Sequence, residues 1–130
     1  MVCLETSFII DLLRGKAAVK NIKEEIDRTE IRLTIAAPSV MELWVGALIS
    51  GQSEKEKSKI NELLHSLEIL DLDEQSAKEA GEIEAELIKK GLPIEAEDIM
   101  IAAIARINNE KIITRDEHFA RISNLKLLKY

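Results

Sequence analysis

Two alternating periodicities narrow the fold of this chain more than any other feature. Short, largely apolar runs at residues 2–5, 31–35, 68–72, 111–114 and 125–128 are separated by longer stretches with the spacing of amphipathic helices. The runs are too short for helices and suit strands, and in 31–35 the apolar residues Ile31, Leu33 and Ile35 alternate with polar ones. The stretches between them have helical punctuation. Residues 7–14 end at Gly15, and 17–29 carry Val19, Ile22 and Ile26 on one face. Pro38 opens a helix that runs to Ser50 and stops at Gly51. Further helices are expected over 53–67, over 76–90 before Gly91 and Pro93, and over 95–108 before Asn109. Strands alternating with helices through short loops require a parallel sheet covered on both faces, with right-handed crossovers. We therefore expect an α/β fold with four to five parallel strands, residues 1–130 forming one domain, and any ligand beyond the carboxyl ends of the strands.

Charge and apolar content exclude several classes. The net charge of −6, from 18 Lys plus Arg against 24 Asp plus Glu, argues against a surface that grips nucleic acid all over by neutralising phosphates. It leaves room for a basic rim around an acidic centre whose positive charge comes from metal ions. No apolar run approaches the roughly 18 residues of a membrane span, and no basic segment precedes an apolar one at the start. The single cysteine, Cys3, sits in the first apolar run, so no internal disulfide is expected. These features predict a cytoplasmic protein without a membrane partner.

Four acids then stand out, each with a structural alternative. Glu5 ends the first strand, where it could also complement the positive end of the following helix. Glu42 lies in PSVMELWVGALIS, apolar on nearly every side, with no lysine or arginine between Leu33 and Gln52. A carboxylate there needs a cation, several donors or a metal, or a salt bridge to a distant arginine. Asp98, in IEAEDIMIAAIAR, shares the helix face of Ile94, Ile101 and Ala102, or is one more helix-start acid like Glu95 and Glu97. Asp116 follows the fourth strand, where it could equally cap a short turn. The predicted topology brings all four to the same end of the sheet. Such a cluster, without a histidine or cysteine set, would be relieved by a hard divalent cation, Mg²⁺ or Mn²⁺ rather than Zn²⁺. Thr6, Ser7 and Thr114 are the hydroxyls placed to orient these acids.

LETSFIIDLLRG, the Glu42 segment PSVMELWVG, DIMIAAIA and TRDEHFARI together resemble the four acidic blocks of PIN-domain nucleases, and among them VapC-type toxins of toxin–antitoxin pairs. The resemblance spans nearly the whole chain. It implies a PIN-like three-layer α/β/α domain and a Mg²⁺- or Mn²⁺-dependent endoribonuclease with Glu5, Glu42, Asp98 and Asp116 as its metal-binding and catalytic quartet. It further implies an RNA substrate, a homodimer and a cognate antitoxin. One departure is visible: the family usually has Asp in its first block, where this chain has Glu5.

Arg14, Lys16 and Arg115 are candidate phosphate contacts, as is Arg106. His118 follows Asp116 by two residues and could join the site or pack in its turn, and Asp11 could serve the first block or lie on the surface. Met41 and Trp44 read as core or dimer contacts. Two rival readings stand beside the nuclease. A phospho-receiver domain would need two adjacent acids after strand one, where Glu5 is followed by Thr6 and Ser7. A PIN-like scaffold that binds a partner without catalysis draws its support from Glu5.

Overall fold

The computed structural model describes all residues, 1–130. Five strands, β1 (Val2–Leu4), β2 (Leu33–Ala36), β3 (Glu68–Leu70), β4 (Lys111–Thr114) and β5 (Leu127–Lys129), form one parallel sheet in the order β3-β2-β1-β4-β5. The helices are α1 (Thr6–Leu13), α2 (Ala17–Arg28), α3 (Ala37–Ile49), α4 (Ser53–Leu64), α5 (Glu74–Lys90) and α6 (Ala96–Ile107), and a 3-10 turn covers Glu117–Arg121. This is the α/β architecture that the alternating pattern predicts.

Side-chain alternation along the strands builds two cores. Val2 and Leu4 of β1, Leu33 and Ile35 of β2 and Ile113 of β4 pack with Phe8 and Ile9 of α1, Val19 and Ile26 of α2, Leu43 of α3 and Ile60 of α4. Cys3, Ala36 and Ile112, one residue out of phase, meet Ile83 and Leu87 of α5 and the buried run Ile101–Ala105 of α6. A strand slipped by one residue would exchange the two sets, so burial on both faces fixes the register. Val2 accordingly pairs with Leu33 on one side and Lys111 on the other. Burial takes the Cys3 thiol up to about 12, which makes it an inert core residue.

Element ends differ from expectation where turns or caps decide them. β2 starts at Leu33 because Glu30 takes a left-handed φ of 57°, which leaves Ile31 outside the ladder and 41% exposed. β3 stops at Leu70, short of the expected Leu72, α4 stops at Leu64, and β5 begins two residues later than predicted, at Leu127. α5 begins at Glu74 because Asp73 and Ser76 form a reciprocal capping box.

The strand order locates the crevice. The chain starts in the central strand, steps outward through β2 to β3, and returns to the other side of β1 with β4. Between β1 and β4 the connections diverge, so the topological switch point, where sheets of this kind bind ligands, lies beyond their carboxyl ends.

Candidate metal centre

Glu5 and Asp116 stand at that switch point. The Glu5 backbone N–H still bonds to the carbonyl of Ile113, and its side chain caps α1, accepting from the Ser7 N–H at 2.9 Å. The Ser7 hydroxyl donates to the other Glu5 oxygen at 2.7 Å, and Thr114 donates to that same oxygen. Glu5 is thus buried with both oxygens engaged. The Glu5 side chain reaches back over its own helix start.

Thr114 connects the two strand ends, since its hydroxyl also accepts the Asp116 N–H at 3.0 Å. Asp116 caps the 3-10 turn, accepting from the His118 N–H at 2.9 Å, with the His118 Nδ1 at 3.0 Å from the same oxygen. Glu42, half-buried in the second turn of α3, accepts from the Thr6 hydroxyl at 3.1 Å. Thr6, Ser7 and Thr114 therefore each touch one of the acids.

Asp98, in the first turn of α6, lies half-buried among these groups. Burial, then the charges of Glu5, Asp116 and Glu42, push its carboxyl up to about 7, against a small opposing effect of His118. Glu42 is raised as well, by burial and by the charges of Glu5 and Glu97, against the hydrogen bond from Thr6. No lysine or arginine forms an ion pair with Glu5, Glu42, Asp98 or Asp116. Asp98, Asp116 and His118 each offer a ligand atom, all within 4.8 Å of one another. Glu5 and Glu42 add charge from just outside this closest group. An oxygen-dominated donor set with one imidazole and uncompensated negative charge fits a hard divalent cation.

Several expectations change. Arg115 and Lys16, read as phosphate contacts, both pair with Asp11, through the Arg115 Nε at 2.9 Å and the Lys16 Nζ at 3.0 Å. Asp11 is not a surface acid: it is 1% exposed, and the Tyr130 hydroxyl donates to it at 2.8 Å. Burial alone would raise its carboxyl, but hydrogen bonds from Lys16, Tyr130 and Arg115 outweigh that and hold it at about 2. Arg106 belongs to a pairing with Glu79 and the Ser123 carbonyl. Of the four candidate phosphate contacts, Arg14 alone makes no ion pair; it lines a cleft between α1, α3 and α4 together with Glu42, Gly46 and Lys59. Two residues gain weight. His118 is an exposed side chain beside Asp116, which its two-residue spacing hinted at. Glu97, read as a solvated helix-start acid, is half-buried and acts on Glu42.

The sequence profile described as the PIN domain matches residues 2–125. The tRNA(fMet)-specific endonuclease VapC of Salmonella typhimurium is 31% identical over 125 residues, covering 95% of this chain and 93% of that one. Ribonuclease VapC2 of Rickettsia felis is 37% identical over 97 residues, 72% of each chain. Among solved structures, VapBC2 from Rickettsia felis, bound to a DNA fragment from its promoter, superposes with a TM-score of 0.92 at 28% identity, covering 100% of this chain and 99% of that one.

Proposed function

The chain belongs to the PIN domain family, and from that premise we propose that it is a VapC-like endoribonuclease that hydrolyses RNA phosphodiester bonds with Mg²⁺ or Mn²⁺. The observation that carries this reading is the convergence of Glu5, Glu42, Asp98 and Asp116 at the switch point with no lysine or arginine paired to them. Asp98 and Asp116 would hold the ion directly with His118 beside them, and Glu5 and Glu42 would complete the acidic wall. A bound divalent ion supplies the positive charge needed to activate water and to hold the scissile phosphate. The chain's own residues do the rest. Thr114 and Ser7 fix Glu5, Thr6 fixes Glu42, and the Thr114 hydroxyl holds the backbone from which Asp116 projects. Arg14, at the rim of the cleft that ends at Glu42, is the cation placed to meet a phosphate of the strand.

Relatives solved as VapBC complexes support a cognate antitoxin as partner. The exposed apolar side chains of α3, Met41 at 51%, Val45 at 50%, Leu48 at 53% and Ile49 at 81%, support a homodimer of standard size, about 1,200 Å² or more. Light scattering at micromolar concentration checks it, and a monomer would count against it. The activity is tested by incubating purified, antitoxin-free protein with a mixed RNA pool in Mn²⁺ or in EDTA. Cleavage is expected in Mn²⁺ only, and Asp116→Asn or Glu42→Gln should lower it about a hundredfold or more without loss of fold. A folded protein that cuts nothing in Mn²⁺ would instead favour the non-catalytic scaffold. The Glu5 carboxylate, turned back onto its own helix, is the feature that favours that second reading.

A further inference from the structure

The pairing of Asp11 with Arg115 does more than satisfy a buried charge. Arg115 is the residue between Thr114 and Asp116, on the stretch that leaves the sheet and carries Asp116 and His118. It is gripped twice, and both grips come from α1. Its backbone N–H donates to the Ser7 hydroxyl at 3.3 Å, and its Nε donates to Asp11 at 2.9 Å. Ser7 and Asp11 are four residues apart, one helical turn on the same face. α1 thus holds the exit of β4 at two points, while its own N-terminus is capped by Glu5. From the outer side Tyr130 closes the arrangement: its hydroxyl bonds Asp11 and its ring stands edge-on to Phe8, with centroids 5.3 Å apart. Phe8 is fully buried, so the anchor is rigid.

We propose that Asp11 is a positioning residue for the acidic centre: through Arg115 it fixes the exit of β4, so that Asp116 and His118 face Asp98 at the separation a divalent cation requires. This rests on reading that centre as the cation site. Asp11 itself touches none of the four acids; its partners are Lys16, Arg115 and Tyr130. Its effect is transmitted by one covalent step, from Arg115 to Asp116. Groups that orient metal ligands are worth about 10-fold to 100-fold in metal affinity or activity when removed.

The test uses Asp11→Asn, Arg115→Met and the double variant of the full chain, with Tyr130→Phe as a milder third variant should Asp11→Asn fail to fold. Mn²⁺ affinity is measured by calorimetry on the antitoxin-free protein, and the half-saturating Mn²⁺ and the KM for RNA are measured in cleavage. Each single variant should weaken Mn²⁺ binding about tenfold or more with KM for RNA unchanged. The double variant should be no worse than the poorer single one, because both cut the same link. Unchanged Mn²⁺ affinity in the single variants, beside a wild type that binds and cleaves, or additive losses, would overturn the positioning role and leave the nuclease reading standing. So would a higher KM for RNA in Arg115→Met alone, which would make Arg115 a phosphate contact. A wild type that binds no Mn²⁺ would sink both the cation site and the role given to Asp11.

Discussion

Around Asp11 one carboxylate is held by Lys16, Arg115 and Tyr130, whereas around Asp98 the neighbours are Glu5, Glu42 and Asp116. The two aspartates are both shielded from water, Asp11 almost wholly and Asp98 by half. Burial pushes each carboxyl in the same direction, up. What separates them is the company. Donors outweigh burial at Asp11 and take it to about 2, while like charges add to burial at Asp98 and take it to about 7. One region is complete within the chain. The other is not, and its surplus charge is what a cation would answer.

The widest gap between the two regions should appear on adding metal. An ion that binds only the folded protein contributes about 2.7 kcal/mol at a hundredfold excess over its Kd. For a domain of this length, Mn²⁺ should therefore raise the melting temperature by roughly 5 to 15 °C. Asp98→Asn should lose most of that shift, as followed by circular dichroism with Mn²⁺ or EDTA. An undiminished shift would move the ion away from Asp98.

A smaller contrast is one of sign in EDTA. Asp98→Asn keeps the shape and removes a repelled charge, so it should melt a few degrees above wild type. Asp11→Asn removes the counter-charge of two cations and should melt below it. If both variants moved the same way, the contrast between a satisfied and an unsatisfied acid would break.

The subtlest contrast is with pH. The raised Asp98 carboxyl binds a proton in the folded chain that the unfolded chain has already released. In EDTA, stability should therefore fall as pH rises from about 4 to about 7 and level off above that. Asp11 has the depressed carboxyl, so its contribution is present above the ordinary carboxylate range and is lost only as pH falls toward 2. Melting curves of wild type and Asp98→Asn between pH 4.5 and 7.5 should converge at the acidic end. Parallel curves would remove Asp98 from the acids that share a proton-dependent repulsion.

Periodicity revealed the framework because burial on both faces of a parallel sheet leaves long-lived marks in a sequence: Val2, Leu4, Leu33, Ile35 and Ile113 are apolar for one reason. The places of Glu5, Asp98 and Asp116 were legible for a related reason, since strand ends and helix starts are positions that an α/β topology assigns. The setting of Asp11 was not. Its partners Arg115 and Tyr130 lie 104 and 119 residues away, and no local pattern marks a long-range ion pair. Lys16 and Arg115 looked like free cations on the same ground. Glu97 was hidden by its position next to Asp98, where helix geometry alone points it elsewhere, and only the packing of α6 beside α3 brings its charge to Glu42. The boundary errors at Ile31 and Ser76 came from a left-handed turn residue and a capping pair, both smaller in energy than the apolar pattern that surrounds them.

Because β1 pairs with β4, the hydrogen bond from Thr114 to Glu5 joins residues 109 positions apart. β1 finds β2 close by in the sequence, but its other neighbour, β4, is supplied only by a far later stretch. Long-range closure of this kind is slow relative to local helix formation. Until β4 docks, Glu5 has no Thr114, Asp116 has no fixed place, and the acids are scattered along an unfinished polypeptide. An incomplete chain therefore has no assembled acidic centre, and whatever that centre does becomes possible only late, with the last pair of inner strands.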